Sequence, residues 1–249
     1  MIVFQYDGDI ISYLTAVYDA ISMNRDDVLF EIIGDNYQLR LDAEYTEVQA
    51  NSTKCDTLIG ELKKHLGYRN ISDIYYAFES ADKQKDTIIF NYIRLAYKYG
   101  KKVTTMLSHP HVILFNDITH KVHNEIHRMS GFLRFVKTKS DIYYAAYSPE
   151  NNITTFLVKE FITRFPIMSF VLHDVMRGII GIYNGNDYII MHDKSHATIE
   201  YAEDEMFIQN LWKKYYASVN IEERYNKKQM MSYMPRKYID NIYTWHDFD

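Results

Sequence analysis

Residues 124–135, NEIHRMSGFLRF, change texture halfway. As far as Met129 they continue an amphipathic helix; from Gly131 the alternation of apolar and polar residues predicts a strand. Because helices dominate before this point and period-two patterns after it, the reading of the stretch sets the fold class. It also crowds Glu125, His127, Arg128, Phe132 and Arg134 into one handover between elements.

Working back, the helix starts after Pro110 and carries the apolar stripe Val112, Phe115, Ile118, Val122, Ile126 and Met129. Before it, MIVFQYDGD predicts a strand ending at Asp7-Gly8, and Ile10, Leu14, Val17 and Ile21 keep helical spacing. DVLFEII predicts a second strand. Three helices follow: KCDTLIGELKKHLG stopped by Gly67, SDIYYAFES opened by Ser72, and DKQKDTIIFNYIRLAYKYG closed by Gly100. Working forward, GFLRFVK and DIYYAAYS flank a turn at Thr138 to Ser140 and predict a hairpin. NNITTFLVKEFITRF predicts a helix. IMSFVLHD, RGIIGIYNG and DYIIMHD predict three strands, the last two joined by the tight-turn pair Asn184-Gly185. EDEMFIQNLWKKYYASV and IEERYNKKQMMSYM predict two closing helices. The expectation is an α+β fold, an antiparallel meander sheet packed with N-terminal and C-terminal helices. We expect a single domain over 1–249, helical to about 129, sheet from about 131 to 192, and helices again from about 202 to 243.

The composition, 47% hydrophobic and 24% charged, suits a globular chain with a sizeable core. The lone cysteine, Cys55, excludes a disulfide framework and any Cys-based zinc or iron–sulfur site within the chain. No basic leader, long apolar run or nucleotide-binding glycine loop is present, so a cytoplasmic protein with no cofactor and no membrane partner is expected. The net charge of −5 is uneven: residues 1–100 carry −6, residues 101–205 carry −1 and residues 206–249 carry +2. A polyanion would therefore favour the second half.

At 100° per residue, His120, His123 and His127 share a helix face about 130° from the apolar stripe. The His123/His127 spacing resembles that of zinc helices, but Asn124 follows His123, so the glutamate of H-E-x-x-H is missing. The row also spans about 10 Å, too far for one ion, so a polar face is favoured and no metal is expected. Glu125 borders the apolar stripe, where a carboxylate needs a partner. Arg134 is a candidate: on the expected strand it shares a face with Phe132 and Val136, either paired to a buried acid or free for an anionic ligand.

VLHDVMRG sets His173, Asp174 and Arg177 at a turn between strands. There they could orient a general base or bind phosphate, or Asp174 could cap the turn and pair with Arg177. In the tail, Trp212, Tyr215, Tyr216, Tyr225 and Tyr233 alternate with Lys213, Lys214, Arg224, Lys227, Lys228, Arg236 and Lys237. Aromatic rings can stack on bases while cations neutralise phosphates. Helical spacing offers another reading, in which Leu211, Tyr215 and Val219 face inward.

YDGDIISYLTAVYDA, YYAFES with YIRLAYKYG, VHNEIHRMSGFLRF, VLHDVMRG, LWKKYYASVNIEERYNKK and MPRKY occur in that order. Together, over nearly the full length, they resemble a bacterial family of uncharacterised DNA metabolism or DNA repair proteins. The E-x-H-R-x-x-G-F-x-R-F core carries the likeness most specifically. Members commonly accompany a radical SAM protein, and related domains are fused to a uracil-DNA glycosylase-like domain. The resemblance marks Asp7, Gly8, Glu125, His127, Arg128, Gly131, Phe132, Arg134, Phe135, Asp174, Arg177, Trp212, Arg224, Asn226, Pro235 and Arg236. The ending YIDNIYTWHDFD departs from the family pattern.

The resemblance implies DNA and a radical SAM protein as partners, with radical chemistry left to the partner because Cys55 stands alone. The leading expectation is a DNA-binding or substrate-presenting accessory protein. Its nucleic-acid contacts would be Arg128, Arg134, Arg177, Lys213, Lys214, Arg224, Lys227, Lys228 and Arg236. The alternative is a hydrolase or lyase in which Glu125 or Asp174 acts as general acid or base and His127 or His173 assists. A third is an interaction scaffold that uses its tyrosines.

Overall fold

The computed structural model describes residues 1–34, 40–193, 199–219, 221, 226–233 and 238. The chain forms two compact units, residues 1–123 and 124–249. The α+β class holds.

In the first unit, β1 (Ile2–Tyr6), α1 (Ile10–Ser22), β2 (Val28–Ile32) and β3 (Glu44–Glu47) come first. The three strands form a parallel sheet with β1 in the centre. Strand β3, with the sequence EYTE, is an addition to the sequence expectation. Asp9 caps α1 by accepting the Ile11 and Ser12 amides at 2.8 and 3.0 Å. Helices α2 (Ser52–Leu66), α3 (Tyr68–Phe78) and α4 (Lys85–Tyr99) follow, then a 3-10 turn over Gly100–Thr105. Helix α3 begins four residues before the expected Ser72 start. On one face of the sheet, the Tyr13 ring joins Tyr6 and Phe30 to Phe78, and Phe30 packs directly on Phe90.

Helix α5 (Pro110–Phe132) buries Val112, Phe115, Ile118, Val122 and Met129, as its stripe requires. It runs through Gly131 to Phe132, so the strand expected from Gly131 does not form there; β4 is only Val136–Lys137. Arg134 therefore belongs to a connector and not to a strand face.

The second unit builds a five-stranded sheet in the order β4-β5-β6-β7-β8, with β5 (Tyr143–Tyr147), β6 (Phe170–Asp174), β7 (Ile179–Tyr183) and β8 (Tyr188–His192). The sheet is mostly antiparallel, but β5 and β6 pair in parallel because α6 (Thr154–Arg164) crosses between them. A pure meander was expected, and the crossover helix is what breaks it. Helix α6 lies on the face that carries Phe170, Leu172 and Gly181. A Cβ on Gly181 would stand 2.4 Å from Val158 Cγ2, so only glycine allows that approach. Gly185 turns β7 into β8 with φ +90°, as Asn184-Gly185 predicts.

Helices α7 (Glu205–Val219) and α8 (Lys227–Tyr233) follow. Leu211, Tyr215 and Val219, inward-facing in one of the two readings of the tail, are exposed. Among the described residues no helix is long and apolar enough to cross a membrane.

Candidate functional site

Glu125 projects from α5 into the second unit and is only 4% exposed. Its Oε1 accepts the Glu150 amide at 2.7 Å and the Tyr238 hydroxyl at 2.7 Å. Its Oε2 accepts the Asn151 amide at 2.8 Å and the Asn151 side-chain amide at 2.6 Å. A carboxylate offers about four acceptor sites, and here donors fill all of them. Arg134, the partner expected from the sequence, makes none of these bonds.

Arg134 instead turns back on α5. Its Nη1 donates to the carbonyls of Gly131, Phe132 and Leu133 at 2.8, 3.2 and 3.0 Å. Arg164 Nη1 adds a bond to the Ser130 carbonyl at 2.8 Å. Two guanidinium groups thus close the negative end of the helix. The Arg134 guanidinium carbon also lies 5.9 Å from the centre of the Trp212 ring.

Asp174 is fully buried at the end of β6. Its Oδ1 accepts the amides of Met176 and Arg177 at 3.0 and 3.2 Å, and its Oδ2 accepts Arg177 Nη1 at 2.9 Å. Arg177 also donates to the Pro149 carbonyl at 3.0 Å and to the Glu150 carbonyl. One loop, 148–151, is therefore gripped twice: Glu125 takes its amides and Arg177 takes its carbonyls. The turn-capping role of Asp174 is the arrangement found.

His173 and Asp174 are consecutive on β6 and so point to opposite faces of the sheet. His173 Nδ1 lies 2.7 Å from Tyr144 Oη, a bond between neighbouring strands. Burial pushes the Tyr144 phenol up, with a smaller contribution from Tyr201. His127 and Arg128 are exposed on α5. The expected acid–base set thus does not share a cleft: Glu125 and Asp174 are sealed, His127 is on the surface, and His173 is across the sheet from Asp174.

On the histidine row, His120 is exposed and His123 Nε2 lies 3.6 Å from Asp73 Oδ1. Among the described residues no group of three His, Cys, Asp or Glu side chains is arranged to hold a metal. Lys214 and Lys228 are exposed and Lys213 is partly buried. Arg224, Arg236 and the side chain of Lys227 lie outside the described residues.

Sequence reasoning missed Tyr238 and Asn151. Tyr238 is 5% exposed, and burial, then its bond to Glu125, pushes its phenol far above the usual range. The only sequence signal was a tyrosine close after Pro235.

Of the expected nucleic-acid surface, α7 is open to a ligand among the described residues. Trp212 and Tyr215 are 40% and 57% exposed, their ring centres 5.7 Å apart. Ile208, Leu211 and Val219 extend the exposed stripe along the same helix face.

Residues 83–243 match a family described as a domain of unknown function, DUF4130. None of the curated proteins matches the chain.

Proposed function

The chain belongs to the DUF4130 family, and we propose that it is an accessory protein that binds single-stranded DNA and presents it to a radical SAM enzyme. The observation that carries the DNA reading is the α7 surface, where the Trp212 and Tyr215 rings are open on one helix face, with Lys214 exposed on another side of the same helix. Rings that stack on bases need exposed faces, and nearby cations neutralise the backbone. The radical SAM partnership rests on the family likeness of the sequence motifs. A hydrolase or lyase role for Glu125 or Asp174 has less support, because a general acid or base needs a lone pair or proton facing substrate. Here those positions are filled from within the fold.

Fluorescence anisotropy with a labelled single-stranded oligonucleotide tests the reading. Trp212→Ala and Tyr215→Ala should each weaken binding by about 1–3 kcal/mol, the usual worth of one stacked base. Affinity unchanged in both variants would refute it. The exposed apolar stripe of Ile208, Leu211 and Val219 favours a second reading, in which α7 docks on the partner protein. Loss of co-purification with the partner in Leu211→Glu, with DNA affinity retained, would support that reading over the first.

A further inference from the structure

The first unit holds a cavity of about 330 Å3 between the end of α1, the turn before β2 and the last turns of α4. Its lining includes Ile21, Arg25, Asp26, Arg94, Tyr97 and Lys98, three cations against one carboxylate. The carboxylate is Asp26, whose side chain is 72% exposed and ion-paired with Arg94. Arg25 uses Nε and Nη2 on Asp27 at 2.9 and 3.0 Å. Lys98 stands over the Tyr99 ring, its ammonium 5.2 Å from the ring centre, and has no carboxylate partner among the described residues.

Some of this positive charge answers the negative C-terminal end of α1, which Arg25 follows directly. With Arg25 held by Asp27 and Arg94 by Asp26, Lys98, in the last turn of α4, is the lining cation left without a carboxylate among the described residues, and the local balance is one positive charge. Ile21 and Tyr97 give the same cavity apolar lining.

We propose that this cavity binds a small phosphomonoester, with its phosphate on Arg25, Arg94 and Lys98 and its organic body against Ile21 and Tyr97. Phosphate supplies three acceptor oxygens and up to two negative charges, matching the cationic groups. The volume is near the lower end for small-molecule pockets, which suits a ligand of mononucleotide size. Asp26 is a displaceable stand-in: an exposed carboxylate leaves a guanidinium at little cost. The site shares no residue with α7, so it stands or falls apart from the DNA reading.

Titration calorimetry of the full chain with adenosine monophosphate and with inorganic phosphate tests the proposal. The nucleotide should bind severalfold tighter than phosphate alone. Lys98→Gln should weaken it about tenfold, the worth of one charge-assisted bond. Asp26→Asn should tighten it, because the internal competitor is gone, whereas a purely structural ion pair would give no gain. Both substitutions are at exposed side chains. The proposal is overturned if neither probe binds at millimolar concentration, if the nucleotide binds no better than phosphate, or if both variants leave affinity unmoved.

Discussion

Glu125 and Asp174 carry the same charge and are buried to a similar degree, yet they are held differently. Glu125 takes only neutral donors, whereas Asp174 adds a guanidinium. In Glu125→Gln, one oxygen becomes an NH2 group facing two donors, so at least one buried bond is lost and a repulsive contact replaces it. We expect a loss of about 2–3 kcal/mol in stability by urea denaturation. Single-stranded DNA affinity below the unfolding transition should be unchanged. Activity lost at full stability would instead assign chemistry to the carboxylate.

Asp86 makes the opposite case. Its Oδ2 accepts the Tyr6 hydroxyl at 2.8 Å, while Oδ1 is buried with no hydrogen-bond partner among the described residues. Burial raises its pKa, against smaller lowering effects of Tyr6 and Lys85. Between the ordinary carboxylate pKa and the raised one, the unfolded chain has released the proton that the folded chain still holds. Stability therefore falls as pH rises through that window, and the cost persists above it. Asp86→Asn should melt higher than the parent at neutral pH, and the difference should shrink toward acid pH. Melting curves across that range that run parallel would contradict the assignment.

At the scale of elements, what the sequence made legible depended on how local the cause was. The α5 stripe and the Asn184-Gly185 turn are local, one a matter of 3.6-residue spacing and the other of positive φ, and both were readable. The end of α5 was not. Gly131 looks like a stop, but Arg134 and Arg164 bond to the last carbonyls, and Arg164 arrives from a different helix. Two of the four donors to Glu125 are likewise backbone amides 25 and 26 residues away, which leave no side-chain signature. Strand β3 was hidden because EYTE is short, polar and at a sheet edge. Gly181 is a readable type of residue whose reason lies in packing: α6 approaches β7 where a side chain would collide with Val158. Gly181→Ala should cost about 1–3 kcal/mol through overpacking, measured by thermal or chemical denaturation. Val158→Ala in the same chain should recover part of that loss.

At the scale of the whole molecule, charge limits how DNA could be held. Residues 1–123 carry 13 basic and 17 acidic side chains, and residues 124–249 carry 15 and 16, so neither unit is a basic shell. Within the second unit, Arg134 and Arg177 are committed to carbonyls and to Asp174. The exposed cations described there that belong to the expected contact set are Arg128, Lys214 and Lys228. Three phosphate contacts on a single strand give a slope of about −2 in log affinity against log salt. We expect that shallow dependence, with much of the remaining affinity lost in Trp212→Ala because stacking is less sensitive to salt than phosphate contacts. A slope several times steeper would mean that more cations than these three reach the strand, and Arg134→Gln and Arg177→Gln would then show whether the helix–strand junction takes part.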